Sequence, residues 1–161
     1  VEGGFDLSIR IRQTMPDSTL VARRVATMRQ RMFASPDYLA RAGTPSEPAD
    51  IAEHDIVGFL LGDHLTTWEL SGADGARTLH LDPRVKVGNS LVLRDLLVAG
   101  QGIGTLPDFI SRPAEARGDL VRVLPGWALP SREIAAVTAS RFGMDAKVSA
   151  FLDRLRDALG G

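Results

Sequence analysis

Few residues of this chain have types and spacings suited to chemistry. His54, His64 and His80 have no i, i+4 partner, and without any cysteine there is no thiolate to complete a zinc site. They read as surface or structural side chains. The acidic residues are scattered, with no pair spaced for general acid and base work. Ser90 follows Gly88-Asn89, but no Gly-x-Ser-x-Gly elbow surrounds it and no base stands at a matching distance. A Gly-x-x-x-x-Gly-Lys-Ser/Thr phosphate loop is absent. The glycines of Gly100-x-Gly102-x-Gly104 follow a helix and precede a strand, the reverse of a dinucleotide fingerprint. They read as a tight helix-to-strand turn. We therefore expect no enzyme activity, no metal and no cofactor.

Binding is the chemistry that remains. Arg23, Arg24, Arg29 and Arg31 form the one basic cluster, which suits a solvated strand face better than an anion site. Aromatic residues make up 6% of the chain, too few for a platform that stacks single-stranded bases. Phe59 at the end of a strand, Trp68 on a hairpin, and Asn89 and Ser90 at a helix start are the better candidates for lining a small-molecule cleft. For Phe59 and Trp68 the alternative is core packing. For Asn89 and Ser90 it is helix capping, which is compatible with ligand contact.

These candidates are positioned by residues 85–107. Val85 and Val87 begin an extended run ending at Gly88, and Asn89 or Ser90 then caps a helix. From Leu91 to Ala99 only Arg94 and Asp95 are polar, so the helix should lie between layers. Gly100 supplies its C-terminal cap, and Ile103 to Leu106 forms a buried strand closed by Pro107. Such a β-α-β unit turns the polar helix start toward the ligand side of an α/β sheet.

The neighbouring segments carry recognisable signals. Leu7, Ile9 and Ile11 alternate with polar residues as in a half-buried strand, and Pro16-Asp17-Ser18 marks a turn. A short extended piece at 20–22 and a strand at 28–34 come next. Ser35-Pro36-Asp37 opens a short helix ending at Gly43, and Thr44 to Pro48 is a rigid connector. A helical turn at 51–54 and a strand at 55–61 precede a hairpin turning at Ala73-Asp74-Gly75. A brief helix at 108–112 should stop before Pro113, with strands near 119–124 and 134–139. Val148, Phe151, Leu152, Leu155 and Leu159 fall at helical spacing, capped by Asp145 and ended by Gly160-Gly161. Strands alternating with helices indicate an α/β fold.

The chain has 161 residues, 44% hydrophobic and 24% charged, which suits one domain or two small lobes with a true core. A net charge of −1 points to no polyanionic partner, and no apolar run reaches the length of a membrane span. The first residues lack the basic-then-apolar order of a signal peptide, and the missing cysteines suit a reducing, cytoplasmic setting. The chain does not open on Met, so we expect it to start inside a longer gene product.

Several motifs occur in an order and spacing that resemble LysR-type transcriptional regulators. They are Asp6-Leu-Ser-Ile-Arg-Ile11, Asp17-Ser-Thr-Leu-Val-Ala-Arg-Arg24, Ala34-Ser-Pro-Asp-Tyr-Leu-Ala40 with Gly43-Thr-Pro45, and His54-Asp-Ile56. Trp68, Ala99-Gly-Gln-Gly-Ile-Gly-Thr-Leu-Pro107, Gly118-Asp-Leu-Val-Arg-Val-Leu-Pro125 and the closing Phe151-Leu-Asp helix continue the series. The resemblance covers essentially the whole chain and implies the C-terminal effector-binding domain. Its fold is that of the type 2 periplasmic binding proteins, two α/β lobes joined by crossover strands, with the effector between them. By analogy, lobe one would hold about 1–34 and 121–161, and lobe two about 35–120. The family's effector contacts correspond here to positions near Ser35, Phe59 and Asn89-Ser90.

The resemblance also implies what this chain lacks: a winged helix-turn-helix and the opening strand-helix-strand of lobe one. DNA would be read only through that N-terminal domain, and the full-length protein would act as a homo-oligomer without membrane contact. The expected function is binding of a small-molecule effector that modulates transcription. An exported solute-binding protein of the same architecture is the alternative, and an α/β enzyme is a more distant one.

Overall fold

A computed structural model describes residues 8–12, 21–60, 65–138 and 146–159. The sequence-predicted turn at 16–18, the side chain of His64, the Asp145 cap and the Gly160-Gly161 stop lie outside those residues. In chain order the elements are β1 (Ser8–Arg12), β2 (Val21–Met28), β3 (Gln30–Ala34), α1 (Pro36–Ala42), a tight helical turn (Pro48–Glu53) and β4 (Val57–Phe59). They continue as β5 (Thr67–Gly72), β6 (Gly75–His80), β7 (Val85–Val87), α2 (Ser90–Val98), β8 (Gly104–Pro107) and α3 (Asp108–Arg117). The chain closes with β9 (Val121–Val123), β10 (Arg132–Thr138) and α4 (Ala146–Leu159). It divides into two compact units, one of residues 1–29 with 131–161 and one of residues 30–130.

The first unit is an antiparallel sheet in the order β1-β10-β2. Its central strand has neighbours on both sides, and Ile134, Ala135, Ala136 and Val137 are all buried, so β10 shows no in–out alternation. α4 lies against β2 and buries Leu152, leaving Phe151 exposed.

In the second unit, β3 pairs antiparallel with β8 on one side and β9 on the other. β4 pairs parallel with β7, and backbone bonds at Ile103 join β4 to β8: Val57 N–H donates to the Ile103 carbonyl, and Ile103 N–H to the Asp55 carbonyl, both at 2.9 Å. The order is therefore β9-β3-β8-β4-β7, with β3 alone running against the rest. Phe33, Val57, Leu93, Leu97, Leu106, Ala114 and Leu120 form one apolar cluster. A second gathers Met32, Tyr38, Ile51, Trp68, Leu70 and Leu129. The β5–β6 hairpin turns at Ala73-Asp74, as its Asp-Gly signal predicts.

The glycine turn before β8 is what lets β4 and β8 meet. Gly100 ends α2 at φ 73°, and Gly102 sits at φ 145°. A Cβ at Gly102 would overlap the carbonyl oxygen of Asp55, the acceptor of the bond from Ile103. Helix-to-strand turn is the correct reading of this motif.

Three local expectations need correction. The helix predicted to stop before Pro113 runs on to Gly118, whose φ of 77° ends it while its N–H bonds back to Glu115. Pro113 removes one helical donor, the one that would serve the Phe109 carbonyl, and Ala114, anchored in the core, carries the helix past it. The short piece placed at 20–22 runs on as β2 to Met28, and the strand placed at 28–34 starts only at Gln30, as β3. Finally, α2 is not enclosed on both sides. Leu93 and Leu97 face the sheet, whereas Leu91 is 48% and Val92 47% exposed. Hydrophobic composition alone does not say which apolar face the chain itself covers.

Candidate functional site

β4 and β7 lie side by side with Val57 opposite Val85 and Phe59 opposite Val87. Leu60 N–H donates to the Val87 carbonyl at 2.8 Å, so both strands finish at one edge before Gly88-Asn89 leads into α2. Phe59, Asn89 and Ser90 are thereby brought together at carboxyl strand ends beside a helix start. Open α/β sheets commonly present ligands to helix N–H groups at such an edge.

Asn89 is the cap. Its side-chain oxygen accepts from Leu91 N–H at 2.8 Å and Val92 N–H at 3.4 Å, and its carbonyl takes the first helical bond, from Leu93. Ser90 becomes the first helical residue. Its side chain is half-buried, and its hydroxyl makes no hydrogen bond among the described residues. The first turn of α2 carries no acidic side chain, so no protein carboxylate opposes its partial positive charge. Phe59 is half-buried, packed against the cluster around Leu93 and Leu97.

Ser35 and Trp68 are placed elsewhere. Ser35 follows β3, whose end pairs with the beginning of β8 (Phe33 opposite Gly104), so it lies by the amino ends of β8 and β4. It is 3% exposed, and its Oγ accepts from Tyr38 N–H at 3.2 Å as the cap of α1. Trp68 is 2% exposed and belongs to the cluster around Ile51 and Leu70, apart from that of Phe59. At both positions the geometry is that of a structural side chain. In the basic cluster, Arg24 pairs with Glu133 at 3.5 Å on an exposed face, where the contact contributes little, and Arg31 pairs with Asp108 at 3.3 Å in a part-buried position.

One polar arrangement escaped the sequence reading. Asp55 N–H donates to the Tyr38 hydroxyl at 2.9 Å, and the hydroxyl lies 3.1 Å from His54 Nδ1. Because that oxygen already accepts from the backbone, the consistent assignment has it donating to a bare Nδ1. Arg84 pairs with the Asp55 carboxylate at 3.2 Å, and Arg41 donates to the Gly100 carbonyl at 3.1 Å. Burial raises the Tyr38 pKa above its ordinary 10.0, with the Asp55 carboxylate adding to the effect. The arrangement ties α1 to the start of β4. Nothing in the spacing of Tyr38 and His54 signals the pairing, since folding of the connector creates it.

Among the described residues no group of His, Asp and Glu side chains could hold a metal ion, and no helix is long and apolar enough to cross a membrane.

The LysR substrate binding domain family matches residues 1–160. The HTH-type transcriptional regulator PtxR of Pseudomonas aeruginosa is 34% identical over 156 residues, covering 97% of this chain and 50% of PtxR. CrgA of Neisseria meningitidis, also an HTH-type regulator, is 32% identical, covering 99% of this chain and 53% of its own. The chain thus spans about half the length of these curated relatives. The solved regulatory domain of CrgA, a LysR-type regulator, superposes with a TM-score of 0.79 at 32% identity, over 99% of this chain and 81% of that one. Full-length AphB, the Vibrio cholerae virulence activator, gives a TM-score of 0.79 at 26% identity, over 97% of this chain and 51% of AphB. The shared architecture is the α/β, type 2 periplasmic-binding-protein-like fold with two lobes. With the family match running almost end to end, and relatives and regulatory-domain folds agreeing with it, the chain belongs to the LysR substrate-binding domain family.

Proposed function

We propose that this domain senses a small-molecule effector for a longer transcriptional regulator, and that Phe59, Asn89 and Ser90 form part of its contact surface. The observation that carries the reading is the half-buried Ser90 hydroxyl, unbonded among the described residues, at the start of α2, whose first turn is capped by Asn89 and carries no acidic side chain. Phe59 supplies an apolar wall at the neighbouring strand end. A ligand with an acceptor group fits this end, because hydroxyl and helix N-terminus both favour negative charge. Ser35 and Trp68 support the domain from within, Ser35 as a cap and Trp68 as core.

In the intact regulator, the effector acts by binding one arrangement of the domain better than another, which sets the size of any response. DNA recognition and oligomerisation belong to the full-length protein in the cytoplasm, with no membrane partner. The domain itself performs no turnover. The test is a thermal-shift screen of metabolite acids on the intact regulator, followed by titration of hits against Ser90→Ala and Phe59→Ala. Ser90→Ala should keep the unliganded Tm, whereas Phe59→Ala also loses packing against the cluster of Leu93 and Leu97 and is titrated at a temperature where it remains folded. The reading expects each variant to weaken binding about tenfold, equivalent to ~1.4 kcal/mol. Wild-type affinity in both variants refutes it.

A further inference from the structure

Leu124 is the one non-glycine residue with positive φ, 49°, among the described residues, and it directly precedes Pro125. Both facts are unfavourable: a side chain with a Cβ avoids the left-handed region, and the residue before proline is pressed toward extended backbone. The side chain is nonetheless buried, in the cluster with Trp68, Leu70 and Leu129. Strain of this kind persists only where the surroundings over-determine it.

Two sets of contacts surround the strained residue. Locally, Trp127 N–H donates to the Leu124 carbonyl at 2.9 Å. From the hairpin, Gly72 approaches the Trp127 ring so closely that a Cβ there would lie 2.9 Å from two ring carbons. Arg77, on the opposite strand of the same hairpin, places its guanidinium 5.9 Å from that ring. Ser71 and Ala128 exchange backbone bonds of 2.9 and 2.8 Å, and the Ser71 hydroxyl adds another at 3.4 Å. The hairpin therefore grips the segment at Trp127 and Ala128, just before the chain leaves the second unit at Pro130.

We infer that the β5–β6 hairpin is a latch: seating of the Trp127 ring on Gly72 beneath Arg77 holds Leu124 in its strained conformation and so fixes the direction in which the chain leaves the unit. With the ring unseated, Leu124 relaxes to negative φ and the exit segment turns elsewhere. The latch involves neither Phe59 nor Asn89-Ser90, so it stands or falls apart from the effector proposal.

The experiment is NMR on the isotope-labelled protein, reading φ at residue 124 from its one-bond Cα–Hα and three-bond amide couplings. The Trp127 indole resonance reports whether the ring is seated. Gly72→Ala places a methyl against the ring, and Trp127→Leu removes the ring if the first variant does not fold. The latch expects positive φ at Leu124 in the wild type, and a change to negative φ together with a displaced indole signal in Gly72→Ala. Trp127→Leu should give the same change of sign. Positive φ retained in either folded variant overturns the inference, because the local turn and the burial of Leu124 would then set the strain without the Trp127 ring.

Discussion

Replacing Gly102 by alanine should cost more than any exposed glycine substitution in the chain. The new Cβ would overlap the Asp55 carbonyl oxygen and lie 2.9 Å from its carbon, both backbone atoms that cannot rotate away. The φ of 145° adds conformational strain of about 1–3 kcal/mol for an L side chain. Moving Asp55 aside also breaks the bonds Ile103→Asp55 and Val57→Ile103, worth about 0.5–1.5 kcal/mol each. These sum to roughly 2–6 kcal/mol, with a central value of ~4 kcal/mol. For a protein of this size that lowers Tm by roughly 10 °C. The assay is urea unfolding followed by circular dichroism, beside Gly88→Ala, whose Cβ would meet nothing within 4 Å. The control should stay within about 0.5 kcal/mol of wild type. A Gly102→Ala loss below ~1 kcal/mol would refute the claim that this close approach joins β4 to β8.

Other outcomes follow from the same geometry. Asn89→Ala removes the cap of α2 and should cost about 1 kcal/mol in chemical unfolding, whereas Asn89→Asp retains an acceptor and should cost less. Tyr38→Phe leaves the Asp55 N–H and His54 Nδ1 without their shared hydroxyl, a loss of about 1–2 kcal/mol by the same measurement. Because the folded Tyr38 pKa is raised, its contribution is present below pH 10.0 and disappears as pH rises through the folded value. Tyr38→Phe should accordingly flatten the alkaline limb of a stability–pH curve, and an unchanged limb rejects that assignment. Asp50 accepts from Ser46 N–H, Ser46 Oγ and Glu47 N–H, bonds that hold its pKa below the ordinary 3.8. Its contribution is present above pH 3.8 and lost as pH falls through the folded value, so Asp50→Asn should make the acid limb shallower.

The sequence was most legible where local chemistry and tertiary packing agree. Asn89 caps a helix, Ala73-Asp74 before Gly75 turns a hairpin, and the glycines from 100 to 104 turn a helix into a strand. Each of these signals acts within a few residues. Pro113 misled because its local penalty is outweighed by burial of Ala114, a long-range effect no window contains. Strand β10 offered no alternation because side chains on both of its faces are buried at every position from 134 to 137. At the candidate site, Phe59 and Asn89-Ser90 could be paired by the logic of parallel strand ends. Trp68 looked equally suited to a cleft, but aromatic character does not reveal direction, and its ring turns into the core. Ser35 was brought forward by resemblance, and its hydroxyl is engaged in capping. The Tyr38–His54 contact had no signal, since 16 residues of irregular connector decide whether the two side chains meet.

The β3–β9 pairing has a consequence for how the molecule assembles. The second unit is one continuous segment, whereas the first is made from the two ends of the chain. Before anything folds, β2 and β10 can pair only by closing a loop that contains the whole intervening unit, at an entropic cost that grows with the logarithm of its length. Once β3 and β9 align, with Met32 opposite Val123, the entry and exit of that segment emerge from adjacent strands. The long loop is then short in effect, and the discontinuous sheet closes almost as if its two halves were neighbours in sequence. Folding should therefore run from the middle of the chain outward.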